Sequence, residues 1–134
     1  MRLGKEEKDA LVAYRLQRAH ETFKEVEGNV QMKFWNAAAN RLYYACYYAA
    51  LALNLNNSIT ARTHSGVFGL FEKHFVTTGI ISNEQNKLYR KLFDLRQSSD
   101  YDDWFEVEES DIIPNIEPAK KFIETIENLI NTKN

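Results

Sequence analysis

An all-α fold, an antiparallel up-and-down four-helix bundle with one additional short helix, is the architecture this sequence predicts. Three observations point to it. Apolar residues recur every three or four positions along several long stretches, the period of an amphipathic helix. Breakers are scarce, with five Gly and two Pro in 134 residues, while Leu, Ala, Lys and Glu, all good helix formers, are plentiful. No internal repeat, low-complexity tract or linker interrupts the pattern. Together with 44% hydrophobic content, this predicts one domain over residues 1–134 with a single core.

The first helix is predicted over Lys5 to Glu27. Val12, Leu16, Ala19, Phe23 and Val26 make one apolar stripe, and Gly28-Asn29 offers a C-terminal cap. The second helix runs from about Met32 to Leu55, with a stripe of Trp35, Ala38, Leu42, Ala45, Ala49 and Ala52. Beside it lies a second stripe of Tyr43, Cys46, Ala50 and Leu53. From Leu42 onward this helix is apolar almost all round, which predicts a central place in the bundle or cover from another subunit. A third, shorter helix starts near Thr63 or Ser65 and carries Val67, Phe68, Phe71 and Phe75; Thr77-Thr78-Gly79 breaks it. The fourth begins after Ser82 or Asn83, where Ser82 and Gln85 have capping-box spacing, and Leu88, Leu92 and Leu95 form its stripe. It ends around Asp100 to Asp103. The acidic segment Asp102 to Asp111 reads as a loop pinned by Trp104, Phe105 and Val107. Ser110 is the expected cap of a last helix striped by Ile116, Ala119, Ile123, Ile126 and Ile130. Pro118 is expected to kink or restart it, and Asn131 to Asn134 to fray.

Composition narrows the function. A formal net charge of −2 lacks the basic excess of duplex-binding proteins. The single cysteine, Cys46, rules out an intrachain disulfide. With no apolar leader segment, it predicts a cytoplasmic protein. No apolar run suits a membrane span. His20 and His74 have no partner at metal-ligand spacing, and no phosphate-binding glycine loop or hydrolase nucleophile motif occurs. Neither metal nor cofactor is predicted.

Three segments have chemical potential. Arg41, Tyr44 and Tyr48 share one face of the second helix at spacings of three and four. They read either as rim packing with wet hydroxyls, or as a polar pocket or self-association surface. Arg96 and Asp100 have the spacing of a helical ion pair, and Arg96 equally suits a forked grip on phosphate. Thr63-His64-Ser65-Gly66 opens the third helix, either as a simple cap or as an anion-binding N-terminus.

Taken together, the run from Asn40 to Ala50, Thr63-His64-Ser65-Gly66-Val67 with Leu70-Phe71 and Phe75-Val76, and Leu95-Arg96 followed by Ser99-Asp100-Tyr101-Asp102-Asp103 resemble the HEPN superfamily, in particular its UPF0332 branch. The resemblance implies a four- or five-helix bundle, often a homodimer, commonly paired with a minimal nucleotidyltransferase in a toxin–antitoxin module. In active members an Arg followed four to six residues later by His forms a metal-independent ribonuclease site. Arg96 matches that Arg. Asp100, Tyr101 and Asp102 occupy the window where the His would stand. The resemblance therefore implies a binding and regulatory partner of a nucleotidyltransferase, with Arg96, Arg41, Tyr44, Tyr48 and His64 contacting nucleotide or RNA phosphate. Its alternative is a ribonuclease toxin with a variant site of Arg96, Asp100 and Tyr101. Tyr101 also stands near the place of a Tyr that partner nucleotidyltransferases modify.

Overall fold

The computed structural model describes residues 3–132. Five α-helices follow one another: α1 Lys5–Gln31, α2 Trp35–Asn56, α3 His64–Phe71, α4 Asn83–Tyr101 and α5 Glu109–Thr132. A π-helical turn, Glu72–Val76, extends α3. No strand occurs among the described residues, and no described helix is long and apolar enough to cross a membrane. The core helix is α2, which packs against all four others.

The α1 stripe is buried as predicted at Val12, Leu16, Ala19 and Val26, with Thr22 joining it. The helix does not stop at Gly28. It continues to Gln31, and Lys33 turns the corner at φ 60°. There the Phe34 N–H donates to the Asn29 carbonyl at 2.8 Å and the Lys33 N–H to the Val30 carbonyl at 3.0 Å. This is a Schellman closure with lysine where glycine is usual. A second closure ends α2, with Ser58 at φ 60° and the Ile59 N–H donating to the Asn54 carbonyl at 2.8 Å.

Along α2, Ala38, Ala45, Ala49 and Ala52 are fully buried, and these small side chains admit close approach of neighbouring helices. Leu42, Tyr43 and Cys46 are equally hidden within one chain. The apolarity of α2 therefore needs no second subunit to cover it. Burial pushes the Cys46 thiol up, which leaves it unreactive.

Thr63 caps α3, its hydroxyl accepting from the Gly66 N–H at 2.9 Å. Glycine is required at that point: a Cβ on Gly66 would stand 2.9 Å from Thr63 Oγ1 and 3.2 Å from Ala61 Cβ. Ser82 caps α4 through the Gln85 N–H at 3.1 Å, as its spacing predicts. The loop after α4 is anchored by buried Val107, whose N–H donates to Asn36 Oδ1 at 3.3 Å, and by partly buried Phe105. Trp104 does not help; it is 95% exposed. Ser110 lies inside α5 rather than capping it. That helix runs unbroken through Pro114 and does not restart at Pro118. The two rings lie on its exposed side, and the buried stripe of Ile112, Asn115, Ala119, Phe122, Ile123, Ile126 and Ile130 is continuous across them. Tertiary packing thus overrides the loss of one amide donor at each proline. The predicted fraying is not seen at Thr132, whose hydroxyl donates to the Asn128 carbonyl at 2.9 Å; Lys133 and Asn134 lie outside the described residues.

Candidate functional site

Two consecutive tyrosine pairs on α2 create the site. Residues 43 and 47 lie one turn apart, as do 44 and 48, so the four rings form two adjacent stripes. Tyr43 is fully buried, and Tyr44, Tyr47 and Tyr48 are half-buried. The last two turns of α4 bring Arg96, Asp100 and Tyr101 over this surface, while the first residue of α3, His64, closes it from the side.

Arg96 sits at the centre. Its guanidinium carbon is 5.3 Å from the Tyr44 ring centre, 5.6 Å from that of Tyr43 and 5.9 Å from that of Tyr101. Nη2 donates to the Tyr44 hydroxyl at 3.2 Å. Nε stands 2.8 Å from Asp100 Oδ2. That contact is an ion pair rather than an aligned hydrogen bond, since the buried Nε has no acceptor in its N–H direction. Nη1 has no partner among the described residues. A guanidinium carries five N–H donors, so this arrangement holds the head in place and keeps donors available for an incoming oxyanion.

His64 is held as firmly. Its Nδ1 lies 2.8 Å from the Tyr43 hydroxyl. Its ring stacks on Tyr47 at 4.3 Å and 10°, and meets Tyr44 edge-on at 5.5 Å. Burial first, and the Arg96 charge second, hold its pKa below the usual histidine value. The imidazole is therefore neutral at pH 7. Burial keeps Tyr43 protonated by pushing its phenol well above the ordinary range. With Nδ1 engaged, Nε2 is the atom left for a ligand.

Of the residues singled out in the sequence, Arg96, Asp100, Tyr101, Tyr44 and His64 converge. Arg41 joins from the rim, its guanidinium 5.4 Å from the Tyr44 ring centre, tied back by Glu25 at 3.3 Å and by Asn40 at 2.9 Å. Tyr48 stands one ring further out, 5.9 Å from Tyr44, under the guanidinium of Arg18 at 5.2 Å. Sequence reasoning passed over Tyr43 and Tyr47 as site residues, assigning Tyr43 to the apolar stripe. The available signal was the repeat of Tyr-Tyr four residues apart, which places a second phenol stripe beside the first.

The model of the HEPN domain matches residues 12–132 of this sequence. The chain belongs to the HEPN domain family. A UPF0332 protein of Thermotoga maritima is 34% identical over 92% of this chain and 94% of its own length. A Methanocaldococcus jannaschii protein named "Putative toxin MJ0142" is 28% identical over 72% of this chain and 65% of its own length. The crystal structure of TT1696 from Thermus thermophilus superposes with a TM-score of 0.74 at 14% identity. It covers 87% of this chain and 96% of that one, and shows the shared bundle. In this HEPN domain the imidazole nearest Arg96 comes from α3, and Asp100 stands one turn after Arg96 on α4.

Proposed function

We propose that this HEPN protein is the binding and regulatory component of a toxin–antitoxin-like module, partnered by a minimal nucleotidyltransferase, and that its Arg96 centre takes the phosphate of a nucleotide or RNA. The observation that carries this reading is the partly satisfied Arg96 guanidinium, boxed by Tyr43, Tyr44 and Tyr101 with Nη1 unpartnered. An arginine held by rings at a partly exposed position, with one amino group left without a partner, is preorganised for oxyanion recognition. The toxin name of one relative supports the module. Calorimetric titration with ATP and with short RNA is expected to show binding that Arg96→Ala abolishes. Co-expression with the nucleotidyltransferase is expected to give a complex that survives gel filtration. A chain that binds neither phosphate ligand would sink the reading.

A second reading, metal-independent RNA cleavage, is favoured by one observation: neutral His64, oriented by Tyr43, shares the Tyr43 and Tyr44 rings with Arg96. Here Arg96 would stabilise phosphate charge and His64 Nε2 would accept a proton. RNA cleavage by the purified protein in EDTA, lost in both Arg96→Ala and His64→Ala, separates it from the binding reading. A homodimer belongs to the proposal as well. Its apolar area would come from exposed Tyr101 and Trp104 beside the site rather than from α2. Sedimentation at micromolar concentration tests it.

A further inference from the structure

The tyrosine surface of α2 does not end at Arg96. It continues to the α1–α2 seam, where it meets two more guanidinium groups. The two helices run antiparallel in a register that three contacts set: Arg41 with Glu25 at 3.3 Å, Tyr48 with Arg18 at 5.2 Å, and Ser58 with Lys8 at 3.3 Å. The first two contacts lie about two turns apart on both helices. Arg18 therefore stands at the far end of the stripe whose near end holds Arg41 and Arg96. Ring contacts join the two ends. Arg18 lies over Tyr48, Tyr48 is 5.9 Å from Tyr44, and the Tyr44 ring centre is 5.3 Å from the Arg96 guanidinium. The neighbouring stripe makes a second path. Tyr43, also against Arg96, stacks on Tyr47 at 5.8 Å. Arg15 ends that path. Burial pushes the Tyr47 phenol up, and the Arg15 charge opposes the push, which places the cation near this ring.

These α1 arginines are short of anions. Arg15 is half-buried, and no hydrogen bond or ion pair involves it among the described residues. Burial lowers its pKa, as expected of a guanidinium that loses water without gaining a carboxylate. Arg18 reaches Glu21 only at 3.8 Å, and that carboxylate is largely in water. Such a pair competes weakly with an incoming phosphate. Guanidinium groups set among half-buried phenol rings offer an unpaired strand both of its needs, cations for phosphates and ring faces for bases. The core helix α2 lies between α1 and α4, so Tyr44 and Tyr48 stand between Arg18 and Arg96. A ligand that engages both arginines carries phosphates spaced along a chain.

We propose that Arg15 and Arg18 form a second phosphate subsite, continuous through the tyrosine surface with the Arg96 centre, and that the ligand is single-stranded RNA rather than a mononucleotide. The subsite rests on the phosphate-binding reading of Arg96. Separate cations between rings, on a chain of net charge −2, suit one strand and give no broad field for a duplex. The test is fluorescence anisotropy with labelled hexaadenylate, and calorimetry with ATP, on wild type, Arg15→Ala, Arg18→Ala and Arg96→Ala. Arg90→Ala, whose guanidinium covers the Phe68 ring instead, matches the loss of charge away from the tyrosines. Urea midpoints check that each variant is folded. Arg15→Ala and Arg18→Ala should each weaken hexaadenylate about tenfold, one charged contact each. Each should also shallow the slope of log affinity against log salt by about 0.7, the single-strand value for one phosphate, and leave ATP unchanged. Arg96→Ala should weaken both ligands. The subsite is overturned if the two α1 variants act on hexaadenylate no more strongly than Arg90→Ala, or leave the salt slope as it is. It also falls if Arg18→Ala alters sedimentation and not RNA binding, since the face then joins two copies of this chain. ATP or duplex RNA binding as tightly as the single strand overturns the choice of ligand. If Arg96→Ala spares both ligands while the α1 variants weaken hexaadenylate, the Arg96 reading falls and the continuity with it.

Discussion

Tyr43 and Tyr89 offer the same atom in two opposite circumstances. Their rings stack at 6.4 Å and both are fully buried. The Tyr43 hydroxyl is 2.8 Å from His64 Nδ1. The Tyr89 hydroxyl has no hydrogen-bond partner, and burial pushes its pKa well up. Replacing either residue by Phe removes one oxygen and leaves a void smaller than a methyl group. Tyr43→Phe forfeits a hydrogen bond of about 1 kcal/mol, whereas Tyr89→Phe relieves a desolvated, unpaired hydroxyl costing about 1 kcal/mol or more. The two variants should therefore straddle wild type and differ by about 2 kcal/mol, roughly a thirtyfold difference in the folding equilibrium. Urea denaturation reads this directly, as midpoints moving in opposite directions with unchanged slopes. If both variants destabilise by similar amounts, ring packing rather than hydroxyl pairing governs this column. If Tyr43→Phe leaves stability and the His64 NMR signals untouched, Tyr43 does not orient the imidazole.

Three further outcomes follow from the geometry. Arg96→Lys keeps the charge but loses the fork and the ring contacts, so phosphate affinity by calorimetry should fall about tenfold; unchanged affinity would mean that charge alone acts. His64 should titrate below the usual histidine value by NMR, and Arg96→Ala should move it upward by removing a facing cation. Because folding depresses this pKa, its stabilising contribution is present above the unfolded value and lost as pH falls through the folded one. Gly66→Ala should destabilise by about 1–2 kcal/mol in thermal melts, because the new Cβ meets Thr63 Oγ1 at 2.9 Å and displaces the cap; a neutral result would show that the cap yields easily.

The bundle was legible because its signal is periodic. Stripes such as Val12-Leu16-Ala19-Val26 depend only on spacing, and they are buried as spaced. The misread boundaries depend on competition that no local pattern encodes. Gly28 loses to hydrogen bonding further along α1, with Lys33 adopting the strained turn. Pro118 loses to the continuous apolar face of α5. The site was half legible for the same reason. Arg96 with Asp100, and Arg41 with Tyr44, are neighbours within one helix and can be paired by counting. The meeting of Tyr43 with His64 spans 21 residues and two elements, and rests on where α3 docks. Trp104 shows the converse error, an apolar residue counted toward packing that the fold leaves in solvent.

Asp100 raises the remaining question about the site, since it puts a carboxylate against the one arginine suited to phosphate. At 2.8 Å from Nε, with side chains 18% and 35% exposed for Arg96 and Asp100, it acts as an internal competitor for an anionic ligand. It also holds the guanidinium in register. Asp100→Asn separates these roles, because it removes the charge and keeps the shape. If competition dominates, RNA and nucleotide affinity should rise roughly two- to fivefold, the worth of a partly exposed ion pair. If positioning dominates, affinity should fall, and the Tyr44 contact of Nη2 should loosen with it. The expectation here is a rise. Arg96 is already gripped by Tyr44 and flanked by Tyr43 and Tyr101, and the Asp100 contact is poorly aligned as a hydrogen bond. A fall in affinity by calorimetry would refute that ranking and make Asp100 a positioning residue of the site.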